Sequence, residues 1–440
     1  MARLSEVLSR TVVVYLGSRF AVGTATMMLR SAIAWHVFAL TKSPFHLGLI
    51  GLIQFIPAFA LTLVAGALAD TFDRRRIMMT AQLVALVSGM VLFVATANGT
   101  ATLGLLYGLV VTAAIATAFD SPARMAFLPG LVGRDVFPRV ATIASTNQAL
   151  AFATGPALGG LLIADFGIAA AYAAYTLLVL TALTLLAFLP SPPAAPSGRG
   201  VSFAVIREGL GFVRRRPVIL GCMTLDMFAV IFGGATALLP IYATEILHVG
   251  PRGYGLLSSA LEIGALCTSL TLIALPPIRH GGRALLTAVG VYGLATVVFG
   301  LSRSFWVTFF CLAMTGATDT VSMIIRNIVR QFETPDRLRG RMMGVNMVFF
   351  MGGPQLGELE AGAVANWFGA PFSVISGGVG CLLATAWIAA TTPALRHYGG
   401  SELVPAGARA DAGGQPGPPL PAPATEGHET DSTAAAPSRS

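Results

Sequence analysis

Long apolar runs alternate with short polar stretches along almost the whole chain. The runs recur about twelve times at roughly 18 to 25 residues each, the length that carries an α-helix across a hydrocarbon core of about 30 Å with every backbone polar group paired inside the helix. They fall near 12–38, 46–68, 76–97, 101–119, 140–164, 168–189, 217–240, 254–275, 284–301, 304–325, 341–363 and 370–390. The pattern breaks close to its midpoint, from Pro190 to Arg216, and so divides six predicted spans from six. In the second part of that break Phe203, Ile206, Leu210 and Val213 recur at helical spacing beside Arg207, Glu208 and three consecutive arginines, which predicts a short amphipathic helix lying on the membrane surface. From 393 onward Pro, Ala, Gly, Ser and Thr dominate, a mixture too poor in apolar surface to offset the entropy of ordering. The expected organisation is a six-helix bundle over 1–189, a cytoplasmic linker over 190–216, a second six-helix bundle over 217–392 and a disordered cytoplasmic tail over 393–440.

Composition agrees. The 440 residues are 55% hydrophobic and 11% charged, with a mean hydropathy of +0.75, far too little polar material to cover a water-soluble globule of this size. The net charge of +8 would suggest nucleic acid in a soluble protein, but its placement excludes that reading. Basic residues crowd into alternate loops, whereas the opposite loops hold only Lys42, Arg252 and Arg303. The positive-inside rule then places both termini in the cytoplasm and makes the chain a multi-pass protein of the cytoplasmic (inner) membrane with an even number of spans. The apolar run after the first residues is longer than a signal-peptide core and lacks an obvious cleavage site, so the N-terminus is expected to stay attached. Cys222, Cys267, Cys311 and Cys381 all fall inside predicted spans at spacings that fit neither zinc nor a disulfide framework.

The two halves echo each other. Gly155, Pro156 and Gly159 in span 5 recur as Gly353, Pro354 and Gly357 in span 11, 198 residues on, and Asp120 recurs as Asp319 at 199. Matches at nearly one offset imply a duplicated six-helix unit with both copies crossing the membrane in the same direction, a plan of transporters with a central site. A Gly-Pro pair inside a span removes a backbone donor and a side chain at one point, so the helix can bend there or a neighbour can approach closely.

A charge inside a span costs about 2.5–3.5 kcal/mol at the helix centre, and is rarely kept without a partner or a water-filled cavity. Arg19 and Arg30 lie about three turns apart on nearly one face of span 1, with Gly23 and Thr26 between them. Arg19, near the end, is expected to snorkel; Arg30 and Thr26 are the candidate cavity residues, Arg30 to bind substrate or pair a carboxylate. The candidate proton-coupling acids are Asp226, Glu262 and Glu358; Glu360, two residues beyond Glu358, points to roughly the opposite face. Beside Trp35 near the outer end of span 1, His36 is expected to anchor the helix at the interface. No phosphate-cradling loop, His-Glu-x-x-His or Gly-x-Ser-x-Gly occurs, so neither ATP-driven transport nor an enzyme is supported, and no metal or cofactor is expected.

The turn between spans 2 and 3 holds Gly66, Asp70, Arg74, Arg75 and Arg76. It resembles the loop between helices 2 and 3 of the major facilitator superfamily, in which a Gly, three mostly small or apolar residues and an Asp precede a basic cluster. Thr71 stands where that family usually has Arg, and Asp73 where it often has Gly. The stretches Asp226 to Gly234 with Leu239 and Pro240, Ser121 to Arg124, and Gln355 to Gly362 are similar to the drug:proton antiporter branch that contains the enterobactin exporter and macrolide efflux proteins. The resemblance implies an all-α membrane protein of twelve transmembrane helices in two pseudo-symmetric bundles, with alternating access and proton-driven export of a siderophore or drug-like molecule. Gly66, Asp70, Arg74, Arg75 and Arg76 are then the conformational latch. The expected partners are a small-molecule substrate, protons and the lipid bilayer, with the chain a monomer. A membrane-embedded receptor or assembly partner that moves nothing, and proton-coupled uptake, are the alternatives.

Overall fold

The computed structural model describes residues 9–133, 135–191, 211, 213–214, 216–276, 280–334 and 339–399, with only the backbone described at 62–64, 66–67, 69–70, 339–341 and 343–351. Most of the expected linker helix and residues 400–440 therefore lie outside the described residues. Among the described residues the elements are all helical, with no strand. The first half is α1 (Arg10–Thr41), α2 (Pro44–Thr71), α3 (Arg74–Ala97), α4 (Leu103–Leu131), α5 (Phe137–Phe166) and α6 (Ile168–Ala187). The second half is α7 (Pro217–Phe232), α8 (Gly250–Ala274), α9 (Gly281–Leu301), α10 (Phe305–Glu333), α11 (Arg339–Phe368) and α12 (Ala370–Thr391), followed by the single turn α13 (Pro393–Arg396). Eleven helical segments among the described residues have an apolar window long enough to cross a membrane, α7 only together with the irregular turns that continue it to Ile246, and α11, at 30 residues, supplies the twelfth.

Two expected helices prove too short. The apolar run of span 4 ends at 119, but α4 continues to Leu131, and span 10 continues from 325 to Glu333. The extra turns carry Arg124 and Arg326, so these two arginines are helical residues that pair with acids and not loop charges. The second bundle also runs past the expected boundary at 392. Leu395 and Tyr398 are buried, and the backbone N–H of Gly282 donates to the Tyr398 carbonyl at 2.9 Å, which ties this segment to the start of α9.

The repeat seen in the sequence appears as matched packing. α5 lies against α1 and α11 against α7, but the closest backbone approach is one turn apart in the repeat: a Cβ on Gly155 would sit 2.6 Å from the Thr24 carbonyl oxygen, and one on Gly357, the counterpart of Gly159, 2.6 Å from that of Val230. Only glycine admits such backbone approach, and without a hydrophobic driving force between helices in lipid, close packing of this kind is what holds them together. The turns after α5 and α11 match as well, each made by a glycine at positive φ, Gly167 and Gly369.

The apolar core divides unequally. At the end carrying the α1–α2, α5–α6, α7–α8 and α11–α12 turns, residues of both halves form one cluster that includes Ile33, Phe38, Tyr172, Tyr242, Tyr254 and Phe299. Toward the other end the apolar residues form separate clusters: Tyr15, Met78, Phe127 and Leu186 in the first half, Cys222, Leu285, Ile325 and Ile388 in the second, and a smaller one of Val213, Ile219, Met223 and Met342.

Candidate functional site

The joined end is sealed by backbone contact between the halves. α5 meets α8 at Gly160 and Gly255, where a Cβ on Gly160 would lie 2.6 Å from the Gly255 Cα; α2 meets α11 at Gly48 and Gly362, where a Cβ on Gly362 would lie 2.7 Å from the Gly48 Cα. Polar contacts join the halves there too. The Tyr254 hydroxyl donates to the Ser31 carbonyl at 3.1 Å, its ring lies 5.3 Å from that of Trp35, and Arg252 is ion-paired with Asp165.

Beneath the seal lies a cavity of about 180 Å³. Its wall includes Arg30 from the first half and Tyr292, Thr318, Asp319, Ser322 and Glu358 from the second. The Arg30 guanidinium, with 47% of its side chain exposed to this space, donates to Glu358 Oε1 and bridges α1 to α11. Gly51 of α2 makes room for that carboxylate: a Cβ there would sit 2.7 Å from Glu358 Oε2. Glu358 thus occupies the cavity wall, and Glu262 is half-buried on α8, close enough to feel the charges of both Arg30 and Asp319.

A second charged group reaches the same cavity through Asp319. Arg326 on α10 is ion-paired with Asp226 of α7 and lies 3.5 Å from Asp319, one of whose neighbours on the polar face of α10 is Ser322. α7 stops being a regular helix beside this group. After Phe232 it passes through a 3-10 turn, Gly234–Leu238, and a π turn, Tyr242–Ile246. Gly233 and Gly234 are both on the cavity wall, and the Gly233 carbonyl, freed by the break, accepts from the Tyr292 hydroxyl at 3.4 Å. Irregular backbone at membrane depth is tolerated where it lines a cavity in this way.

Thr26 is exposed one turn from Arg30 and donates to the Val22 carbonyl at 2.8 Å; it is not on the cavity wall. Arg19 does not snorkel. It donates to Gln148 on α5 and to the Tyr15 hydroxyl. Nor does His36 anchor an interface: it is buried, with its Nδ1 3.0 Å from the Tyr172 hydroxyl. Pro156 and Pro354 sit inside α5 and α11, and Gly159 and Gly353 pack on Met28 and Val230.

In the latch turn, Gly66 and Asp70 belong to α2, with side chains outside the described set. The three arginines part company. Arg74 is buried and donates to the Ala126 carbonyl of α4 at 3.2 Å. Arg75 caps α6 by donating to the carbonyls of Leu186, at 3.2 Å, and Ala187. Arg76 is 87% exposed. Asp73 is the N-cap of α3, accepting from the Arg75 N–H at 2.9 Å and from the Ser191 hydroxyl at 2.6 Å. Burial pushes its carboxyl up, but these hydrogen bonds, one from the Arg76 N–H and the Arg76 charge outweigh that and hold it below the ordinary aspartate value.

Asp319, Arg326 and the pair Asp120–Arg124 were not singled out for chemistry from the sequence. The available signal was the Asp120/Asp319 echo.

Residues 9–407 match a family described as transmembrane secretion effector, within the major facilitator superfamily. The chain belongs to this family. As a major facilitator transporter it is similar to the enterobactin exporter EntS of Citrobacter koseri, at 25% identity over 89% of this chain and 94% of the relative, and to that of Escherichia coli K12, at 24% over 87% and 91%. Among solved structures its fold is similar to the nucleoside transporter NupG, with a TM-score of 0.69 at 11% identity over 87% of this chain and 99% of that one. It is also similar to a bacterial homologue of the lysosomal transporter Spinster, with a TM-score of 0.66 at 14% identity over 88% and 99%. The relatives and folds are transporters and not enzymes.

Proposed function

We propose that the chain exports a small organic molecule, siderophore-like or drug-like, across the cytoplasmic membrane in exchange for protons, by alternating access. The observation that carries this reading is the Arg30–Glu358 ion pair, which joins the two halves on the wall of a cavity closed at one end. A bond of that kind forms when the halves close on one side and must break when they part, so substrate on Arg30 or a proton on Glu358 biases the equilibrium between the two arrangements. The distribution of arginines supports a reading in which the sealed end is the outer one and both termini are cytoplasmic, so that in the export direction substrate enters the cavity from the cytoplasm. The names of the EntS relatives favour a siderophore.

The coupling acid is one of the carboxylates around the cavity, where Asp319 stands beside the sequence candidates Asp226, Glu262 and Glu358, and Asp70 with its arginines acts as the latch. One charge crossing about 100 mV supplies about 2.3 kcal/mol, enough at about 1.4 kcal/mol per tenfold to sustain close to a fifty-fold gradient of a neutral solute. The test is accumulation of enterobactin and, separately, ethidium by proteoliposomes under an imposed pH gradient. Gradient-dependent flux of either probe supports the reading, and saturable binding without flux supports a receptor instead.

A further inference from the structure

The two halves treat their matching aspartates differently. In the first half Asp120 is held by Arg124 through two hydrogen bonds of 2.8 and 2.9 Å, and both side chains are largely enclosed, at 16% and 10% exposure. Acid and base are matched one to one. In the second half the guanidinium sits a turn further along, at Arg326, and Asp226 of α7 has taken it. Asp319, the counterpart of Asp120, keeps among the described residues one long ionic contact, of 3.5 Å, and its side chain is 55% exposed on the cavity wall.

Two carboxylates therefore share one guanidinium. With all three groups ionised the cluster carries one net negative charge in a low-dielectric setting; one proton makes it neutral. Of the two acids, Asp226 is the less exposed, at 25%, and bears the close ion pair, while Asp319 faces the water-accessible space. The charged and titratable groups around the cluster are Asp226 of α7 with Cys222, Glu262 of α8, Tyr292 of α9 with Cys381 of α12 behind it, Arg326 on the same helix as Asp319, Arg330 one turn beyond Arg326 and hydrogen-bonded to Asn327, and Arg30 with Glu358 across the cavity. Arg30 and Glu358 neutralise each other, so they leave the imbalance around Arg326 standing.

We infer that Asp319 carries the exchanged proton, with Arg326 and Asp226 positioning it, while Glu358 acts as the link between the halves. This rests on the transport reading above and deepens it. The step is a protonation: Asp319 takes a proton from water in the cavity, its long contact to Arg326 lapses, the Arg326–Asp226 pair remains, and deprotonation restores the contact. Asp120 has no equivalent freedom because Arg124 already satisfies both of its oxygens.

The test has two arms on the purified full chain. Infrared difference spectra across a pH titration read protonated carboxyl groups directly and need no substrate. Asp319→Asn is expected to remove one pH-dependent carboxyl band, Glu358→Gln to leave that band in place, and Asp226→Asn, which turns the cluster into a matched pair like Asp120–Arg124, to move it to lower pH. In proteoliposomes, with enterobactin and ethidium as probes, Asp319→Asn is expected to lower pH-gradient-driven accumulation at least tenfold, and Asp319→Glu to restore coupling. Survival of the band in Asp319→Asn, or undiminished gradient-driven accumulation, overturns the inference. Should the wild-type protein move neither probe, the transport reading fails on its own account, and the infrared arm still decides whether Asp319 binds the proton.

Discussion

Adding one methyl group at Gly160 tests whether the seal opens. In Gly160→Ala the new Cβ lies 2.6 Å from the Gly255 Cα and 2.6 Å from the Pro251 carbonyl oxygen, against 3.4 Å or more for ordinary contact. Both obstacles are backbone, so α8 must retreat from α5 by close to an ångström. Overpacking of this kind costs about 1–3 kcal/mol. Because the contact exists only where the halves meet, the penalty falls on the sealed arrangement alone and shifts the population toward opening by about 5- to 140-fold at 1.4 kcal/mol per tenfold. The readout is the labelling rate, by a water-soluble maleimide, of a cysteine placed at Ser31, which is buried under the seal and accepts the Tyr254 hydrogen bond through its carbonyl. The rate with the parent chain, carrying only the four native cysteines, is subtracted. Gly155→Ala clashes within the first half, against the Thr24 carbonyl, and lowers stability without speeding labelling; Gly108→Ala, with nothing within 4 Å of the added atom, changes neither. A labelling rate in Gly160→Ala that matches wild type, in a protein that folds normally, refutes the reasoning.

Arg75→Ala removes two charge-assisted hydrogen bonds from the end of α6 and is expected to lower the thermal unfolding midpoint by an amount corresponding to about 1.5–3 kcal/mol, while Arg76→Ala changes it little. Asp73→Ala loses the α3 cap, at about 0.5–2 kcal/mol. Since the folded Asp73 carboxyl lies below the ordinary 3.8, its contribution is complete above that pH and is lost as the pH falls through the folded value; the gap between wild-type and variant midpoints is therefore constant near neutrality and narrows only below about 3.8. Asp70→Asn is expected to leave the unfolding midpoint unchanged and slow probe flux in proteoliposomes. Deleting residues 400–440 should leave flux intact, whereas deletion from 393 also removes buried Leu395 and Tyr398 and lowers the unfolding midpoint.

The spans were legible because the membrane demands an unbroken apolar run and little else resembles one. Where helices project beyond the apolar layer that signal fails: the polar turns of α4 and α10 lie past the apolar runs that end at 119 and 325, so Arg124 and Arg326 fall outside the predicted spans. The glycines of α5 and α11 were visible as a repeat, but which of them makes the backbone approach, Gly155 in one half and Gly357 in the other, required the fold. The cluster around Arg326 was not, because Asp226 lies on another helix a hundred residues away and sequence distance carries no information about such a partner. Likewise Arg30 and Glu358 were each visible as charges inside spans, but their meeting across 328 residues required the fold.

Alternating access is tested most directly by distances at the two ends of the molecule. Spin labels at Phe166 and Glu245, on the two halves at the sealed end, and at Phe72 and Phe332, on the two halves at the other end, are compared by double electron–electron resonance in lipid nanodiscs across a pH series with and without enterobactin. Reciprocal change is predicted: as the first distance lengthens the second shortens, and both populations are present under at least one condition. A single distribution for each pair that stays fixed in every condition, in protein that transports, contradicts the account.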